Sequence, residues 1–229
     1  MLQTTLQSII KLKNPNFQFD PSINSLRILT LVKEKIGCWL RGLRLLLPPH
    51  KNPNIFLGRG VRLSHASHIQ FGKWNQIEDH VHISALGKYP IQLGDHVRIG
   101  AFSRVITSTS FNNIGQFIRI GNNVGIGEFA YLGGGGGLEI GNDCIIGQYL
   151  SCHPENHQYQ NPTQLIRSQG VTRKGIKIGN NCWIGAKVTI LDGVTIGDNC
   201  VIAAGAVVTK PMPADSIIGG VPATILKKR

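Results

Sequence analysis

His153 and Pro154 stand where a strong six-residue pattern in the chain stops, so the imidazole is anchored on one side by regular structure and free on the other. An imidazole titrates in the range where a base takes a proton from a hydroxyl as the oxygen attacks. Other residues invite different chemistry. His65 with His68, His80 with His82, and His157 four residues after His153 raise the question of a metal. The five cysteines, at 38, 144, 152, 182 and 200, are odd in number and have no paired CxxC spacing. They indicate neither a disulfide framework nor a zinc knuckle, and fit a reducing cytoplasm. Downstream, Ala203-Ala204-Gly205-Ala206 is small enough for an extended ligand to run close to the backbone. That run leads to Thr209 and Lys210, a hydroxyl and an ammonium suited to phosphate.

The element that must position these residues is a repeat. An aliphatic residue followed by glycine returns every six residues at Leu93-Gly94 and Ile99-Gly100, then at Ile114-Gly115, Ile120-Gly121, Ile126-Gly127 and Leu132-Gly133. It continues at Ile140-Gly141 and Ile146-Gly147, and after a gap at Ile178-Gly179, Ile184-Gly185, Ile190, Ile196-Gly197 and Ile202. A helix returns its apolar face at three and four residues and a strand at two, so a strict six fits neither. Three hexads make a flat-sided coil of about 18 residues with the aliphatic residue pointing inward, and stacked coils bury a continuous ladder. The second inward position, four residues later, carries Cys144, Cys182 and Cys200. These thiols are expected as core filler, with Cys182 directly beneath Cys200.

After Cys152 the pattern vanishes until Ile178, leaving an excursion loop of about residues 153–177. A structureless stretch of that length in a solenoid is expected to cover a site. The 229-residue chain has 24 Lys and Arg against 12 Asp and Glu. Residues 1–62 hold ten basic residues and two acidic ones, so most of the excess sits in a prefix, assigned to residues 1–54 ahead of a repeat domain at 55–229. Within it Asn24-Ser25 can cap a helix over 24–47, ended by Pro48-Pro49. Its broad apolar face, from Leu26 through Trp39 to Leu47, is interrupted by Arg27, Lys33, Lys35, Arg41 and Arg44. Those charges disfavour a membrane-spanning helix and suit one lying at an anionic membrane surface, or one capping the open end of the coils. The extreme N-terminus lacks the order of a secretory signal, so a cytoplasmic location is expected, with peripheral contact at the inner face of the membrane. Neither an aromatic platform nor a reading helix accompanies the charge, which disfavours nucleic acid.

The [LIV]-G-x-x-x-x repeat, with IGNNCWIGAKVTILDGVTIGDNCVIAAGAVVTK and the tail GGVPATILKKR, resembles the hexapeptide-repeat acyltransferase family. The resemblance covers most of the chain from about Ile91. It implies an all-β, left-handed parallel β-helix, a homotrimer with sites between subunits, and acetyl-CoA as donor. The hand comes from the resemblance alone, since parallel crossovers otherwise favour the right hand. In the sugar and xenobiotic O-acetyltransferases of the family, a His-Pro at the start of such a loop supplies the general base, which implicates His153. The resemblance also places Trp183 as a wall of the acceptor or thioester site. Gly185 and Ala186 become backbone contacts to the pantetheine arm, and Ala204, Thr209 and Lys210 further contacts to coenzyme A. The pattern often has Arg after Val-Pro-Ala where this chain has Thr224, and Lys227 is the substitute.

Zinc β-helix enzymes of the carbonic anhydrase type use a histidine pair five apart, which is missing here, so no metal is expected. The galactoside and maltose branches have polar acceptor contacts where this chain has Gly127 and the run Gly133 to Gly137. Those contacts therefore do not carry over, and Glu128 and Tyr131 remain weak candidates. Similar chains with a basic helical prefix act in capsule, exopolysaccharide and lipopolysaccharide synthesis, which points to O-acetylation of a sugar on a nucleotide- or lipid-linked glycan precursor. The alternatives are N-acetylation of a nucleotide-linked amino sugar, serine acetylation, and a noncatalytic scaffold at the membrane.

Overall fold

The computed structural model describes residues 2–11, 15–46 and 54–229. From Ile55 onward the chain winds as a left-handed parallel β-helix with three faces. The first face runs from Ile55–Leu57 to the antiparallel pair Ser216–Gly220 and Ala223–Lys228; the second from Arg62–Ser64 to Val207–Val208; the third from Ile69–Phe71 to Thr195–Ile196. Successive coils pair in register, as in Ile126 with Ile146, Ile146 with Ile184, and Ile184 with Ile202. The inward residues of each strand are buried, including Ile126, Leu132, Ile140, Ile184, Ile190 and Ile196.

Cys144, Cys182 and Cys200 are buried at the second inward position and stack through adjacent coils. The polar residue that follows the repeat glycine has its own role. Along the corner between the third and first faces, Asn122, Asn142, Asn180 and Asp198 each accept a hydrogen bond from the backbone N–H of the preceding coil, at 2.7–2.8 Å. This ladder satisfies donors that the turns leave open.

The coils begin earlier than the aliphatic-glycine motif does. Leu57, Ile77 and Ile83 fill the same inward positions although the glycine is sometimes replaced, as by Glu78. Ile114-Gly115, which shares the six-residue phase, does not belong to the ladder. It lies in a loop between the strands Arg104–Ile106 and Ile118–Ile120, and Ile118 with Ile120 takes the inward place. Gly115 is there because the loop backbone passes so close to Thr107 that a Cβ would sit 1.8 Å from its carbonyl oxygen.

Insertions are confined to one corner. The step from first to second face and that from third to first are nearly constant in length. The corner from second to third face carries the loop after Ile106, the glycine run after Tyr131–Gly133, and the excursion after Ser151–His153. One edge of the prism can therefore vary while the ladder behind it stays regular.

The prefix forms two helices, α1 (Leu2–Lys11) and α2 (Ser25–Gly42), the first of which carries no capping signal in its sequence. The Asn24 side chain caps α2 by accepting from the Arg27 N–H at 2.9 Å. Instead of running to residue 47, α2 ends at Gly42, where any side chain would collide with the Ile55 carbonyl, and a single 3-10 turn follows over Leu43–Leu46. Leu47, Pro48 and Pro49 lie outside the described residues. α2 covers the first coil. Lys35 reaches Gln76 Oε1 at 2.6 Å, Arg41 donates to the Leu57 carbonyl at 2.8 Å and Arg44 to that of Val61 at 3.1 Å. Three of the five basic residues expected to face a membrane thus tie the cap to the coil. Among the described residues no helix is long and apolar enough to cross a membrane.

Candidate functional site

His153 is the last residue of the strand Ser151–His153, at the corner that collects the insertions. Cys152 points inward and is fully buried, which pushes its thiol up to about 12 and makes it an inert wedge under the site. The alternation of a strand then sends Ser151 and His153 outward together. Ser151 Oγ and His153 Nε2 are 2.7 Å apart, and the imidazole stacks on Tyr131 of the preceding coil with ring centres 5.5 Å apart. Pro154 is buried and stops the strand, while the His153 ring stays open to solvent.

A pocket of about 290 Å³ opens beside the imidazole. Its walls are the loop after Ile106 (Thr107 to Ser110), the glycines 133–135, and Glu155, His157 and Arg173 from the excursion. The excursion is not featureless: Asn156–His157 pairs antiparallel with Val171–Thr172 to make a short hairpin. Its base is held by Asp192, whose Oδ1 accepts from the backbone N–H of both Lys174 and Gly175 at 2.8 Å.

Arg173 joins the two walls. Its Nε meets Glu155 Oε2 at 2.6 Å, and its terminal nitrogens donate to Asn113 Oδ1, the Asn113 carbonyl and the Ile114 carbonyl at 2.7–3.1 Å. With its side chain only 17% exposed, this pair is largely shielded from water. The glycine run makes room for it. A Cβ on Gly136 would lie 2.4 Å from the Pro154 carbonyl oxygen, so the run is a close-packed seam as well as an opening.

The other expected residues fall on two separate edges. Thr209 and Lys210 follow Val207–Val208 at the His153 corner, two coils farther along, and both are exposed. Gly185, Ala186 and Ala204 line the corner between the first and second faces. There the Gly185 N–H is spent on the Ile202 carbonyl at 2.8 Å, whereas the N–H groups of Ala186 and Ala204 have no partner among the described residues. Trp183 is 59% exposed on the first face, and Lys227 lies on the edge strand Ala223–Lys228 of that same face. A single chain therefore does not bring Trp183 or Lys227 to His153. Of the weaker candidates, Tyr131 supports the imidazole and His157 lines the pocket, whereas Glu128 lies by the other corner.

His80 stacks on Phe102 in a ring column that continues through Phe129 to Tyr149, with centres 5.0–5.2 Å apart. His82 is half-buried on a regular strand. Among the described residues no group of three or more histidine, cysteine or acidic side chains is placed to hold a metal ion.

Of the residues that line this pocket, sequence reasoning singled out His153 and His157 but not Ser108, Thr109 or Arg173. Arg173 meets partners about sixty residues away, and no local pattern announces such a contact.

Residues 175–210 match the family described as bacterial transferase hexapeptide (six repeats). A Mycobacterium tuberculosis protein named as a probable acetyltransferase is 30% identical over 196 residues, covering 81% of this chain and 56% of that one. The chain thus spans little more than half the length of that relative. An Escherichia coli protein named for O-acetyl transfer in lipopolysaccharide biosynthesis is 27% identical over 59% of this chain and 67% of its own. Among solved structures, that of a point mutant of AntD, an N-acyltransferase from Bacillus cereus in complex with dTDP and coenzyme A, superposes with a TM-score of 0.52. It is 16% identical, over 77% of this chain and 81% of that one, a likeness of fold.

Proposed function

The chain carries the hexapeptide repeat of the bacterial transferases, and on that premise we propose that it moves an acetyl group from acetyl-CoA to a sugar hydroxyl of a polysaccharide precursor. The observation that carries this reading is His153, exposed at the rim of a pocket and held by Tyr131 behind its ring and Ser151 at Nε2. The named relatives support acetyl transfer, and one of them supports O-acetylation of a glycan.

In this mechanism the imidazole takes the acceptor hydroxyl proton as the oxygen attacks the thioester carbonyl. The same proton then passes to the departing thiolate, so His153 ends the turnover as it began. Binding both substrates together provides the near-attack geometry. The tetrahedral oxyanion requires a fixed donor, and the unspent N–H of Ala186 is the candidate.

A homotrimer suits this chemistry. His153, Thr209 and Lys210 on one edge would face Trp183, Ala186, Ala204 and Lys227 from the next subunit's edge and face. Gly185 would pack against the pantetheine arm without donating. Mass measurement in solution tests the assembly, and a monomer with full activity would contradict it. The reaction is assigned to the cytoplasm at the membrane's inner face, where the exposed Leu26, Leu29, Ile36 and Leu40 of α2 would make peripheral contact. The decisive test of the reaction is release of coenzyme A thiol from acetyl-CoA in the presence of sugar, nucleotide-sugar and lipid-linked acceptors. No release with any of them would defeat the reading.

A further inference from the structure

The second face carries a line of basic side chains that the proposed chemistry has not used. Arg62, His82 and Arg104 are direct register partners on three consecutive strands and project outward one above another. Each coil rises about 4.8 Å. Arg62 and Arg104 flank His82 two coils apart, and among the described residues no acidic side chain on the strands of this face offsets the two guanidinium charges.

The other two faces treat an arginine differently. Arg98 on the first face meets Glu78 at 2.6 Å, and Arg119 on the third meets Glu139 at 3.2 Å. Among the described residues, Arg62 and Arg104 have neither an acidic partner nor a side-chain hydrogen bond. Burial first, then Arg104 and Arg62, hold His82 below its usual range, and its Nε2 lies 3.1 Å from Ser64 Oγ. These residues line a groove of about 490 Å³ whose other wall is the ring pair of His80 and Phe102.

The same register line continues into the candidate active site. Arg104 is the partner of Tyr131, and Tyr131 that of Ser151, the two residues that hold His153. Arg104 is thus two coils, about 10 Å, from Ser151.

We infer that Arg62, His82 and Arg104 form a subsite for the phosphate or diphosphate of an anionic acceptor, whose sugar then reaches along the second face to His153. Paired guanidinium forks suit phosphate oxygens and would gain the counter-charge the face lacks. The inference rests on the acetyltransferase reading for its sugar, but not for its phosphate. The shared chemistry is a phosphate ester, supplied by either a nucleotide-sugar or a lipid-linked sugar.

The test is calorimetric titration of the full chain with inorganic pyrophosphate, with coenzyme A held at saturation so that Lys210 and Lys227 are occupied. Arg62→Gln/Arg104→Gln should weaken binding at least about tenfold, since each arginine contributes charge-assisted hydrogen bonds. Arg62→Lys/Arg104→Lys should bind more tightly than the glutamine variant, and unchanged melting temperatures establish that both fold. Equal affinity in the wild type and the glutamine variant would overturn the subsite. UDP-glucose and polyprenyl diphosphate in phosphatidylcholine vesicles are then used as competitors. Displacement by the first assigns a nucleotide-sugar, displacement by the second a lipid-linked sugar, and displacement by neither overturns the inference. Failure of coenzyme A to bind would defeat the acetyltransferase reading instead. The pyrophosphate comparison, repeated without it in a Lys210→Gln/Lys227→Gln background, would still decide the arginine subsite.

Discussion

Replacing Arg173 with methionine tests whether the pocket beside His153 is held as a separate cooperative unit. The guanidinium makes four contacts, one to the Glu155 carboxylate at 2.6 Å and three to Asn113 and Ile114. It is only 17% exposed, and Glu155 is 34% exposed. Hydrogen bonds to charged groups contribute about 1.5–3 kcal/mol each, but such contributions do not add within one network. The half-open carboxylate also keeps the loss below the roughly 3–5 kcal/mol of a fully buried pair. About 3 kcal/mol of local stability should therefore disappear.

None of that energy belongs to the aliphatic ladder, so the β-helix should melt nearly where it did. The two walls should instead open more often, raising amide hydrogen exchange over residues 107–117 and 153–175 by roughly two orders of magnitude. Exchange in the strands around Ile184 and Ile202 should not change. An acceptor KM that rises while affinity for acetyl-CoA holds would follow from the same opening. Unaltered exchange in both segments would refute the reasoning, as would a global loss of protection.

Four further outcomes are expected. Iodoacetamide at pH 8 should label Cys38 alone in the native chain and all five thiols after denaturation, because Cys144, Cys152, Cys182 and Cys200 are buried. Burial raises the Cys152 thiol from 9.0 to about 12, so the folded chain holds that proton after the unfolded chain has lost it. Its contribution is complete below about pH 9 and falls as pH rises toward 12, which a melting series across that range would show. Ser151→Ala should lower kcat/KM by about tenfold, the worth of one hydrogen bond to the imidazole, with binding of acetyl-CoA unchanged. Vesicles containing anionic lipid should sediment the protein through α2, and Leu26→Ser/Leu40→Ser should abolish this; sedimentation unaffected by the pair would remove α2 as the contact.

The ladder was legible in the sequence because an inward position every six residues is a direct imprint of three flat faces. The same phase placed Cys144, Cys182 and Cys200 inside, and its interruption located His153 at the edge of a pocket. Ile114-Gly115 misled because a loop glycine demanded by the Thr107 carbonyl happened to fall in phase. The ring column of His80, Phe102, Phe129 and Tyr149 was hidden for a related reason. Insertions at the opposite corner change its spacing from 22 to 27 to 20 residues, so no fixed period marks it. Arg173 left no trace because its partners are set by tertiary closure of two loops. α1 was missed because it is short and has no acidic residue in its first turn.

The role of His153 as the base for acetyl transfer is tested by comparing wild type with His153→Ala in thiol release from acetyl-CoA in the presence of a turnover-competent acceptor. The alanine variant should be slower by at least about a hundredfold, with the dissociation constant for acetyl-CoA unchanged. Turnover in the alanine variant equal to that of wild type would contradict it.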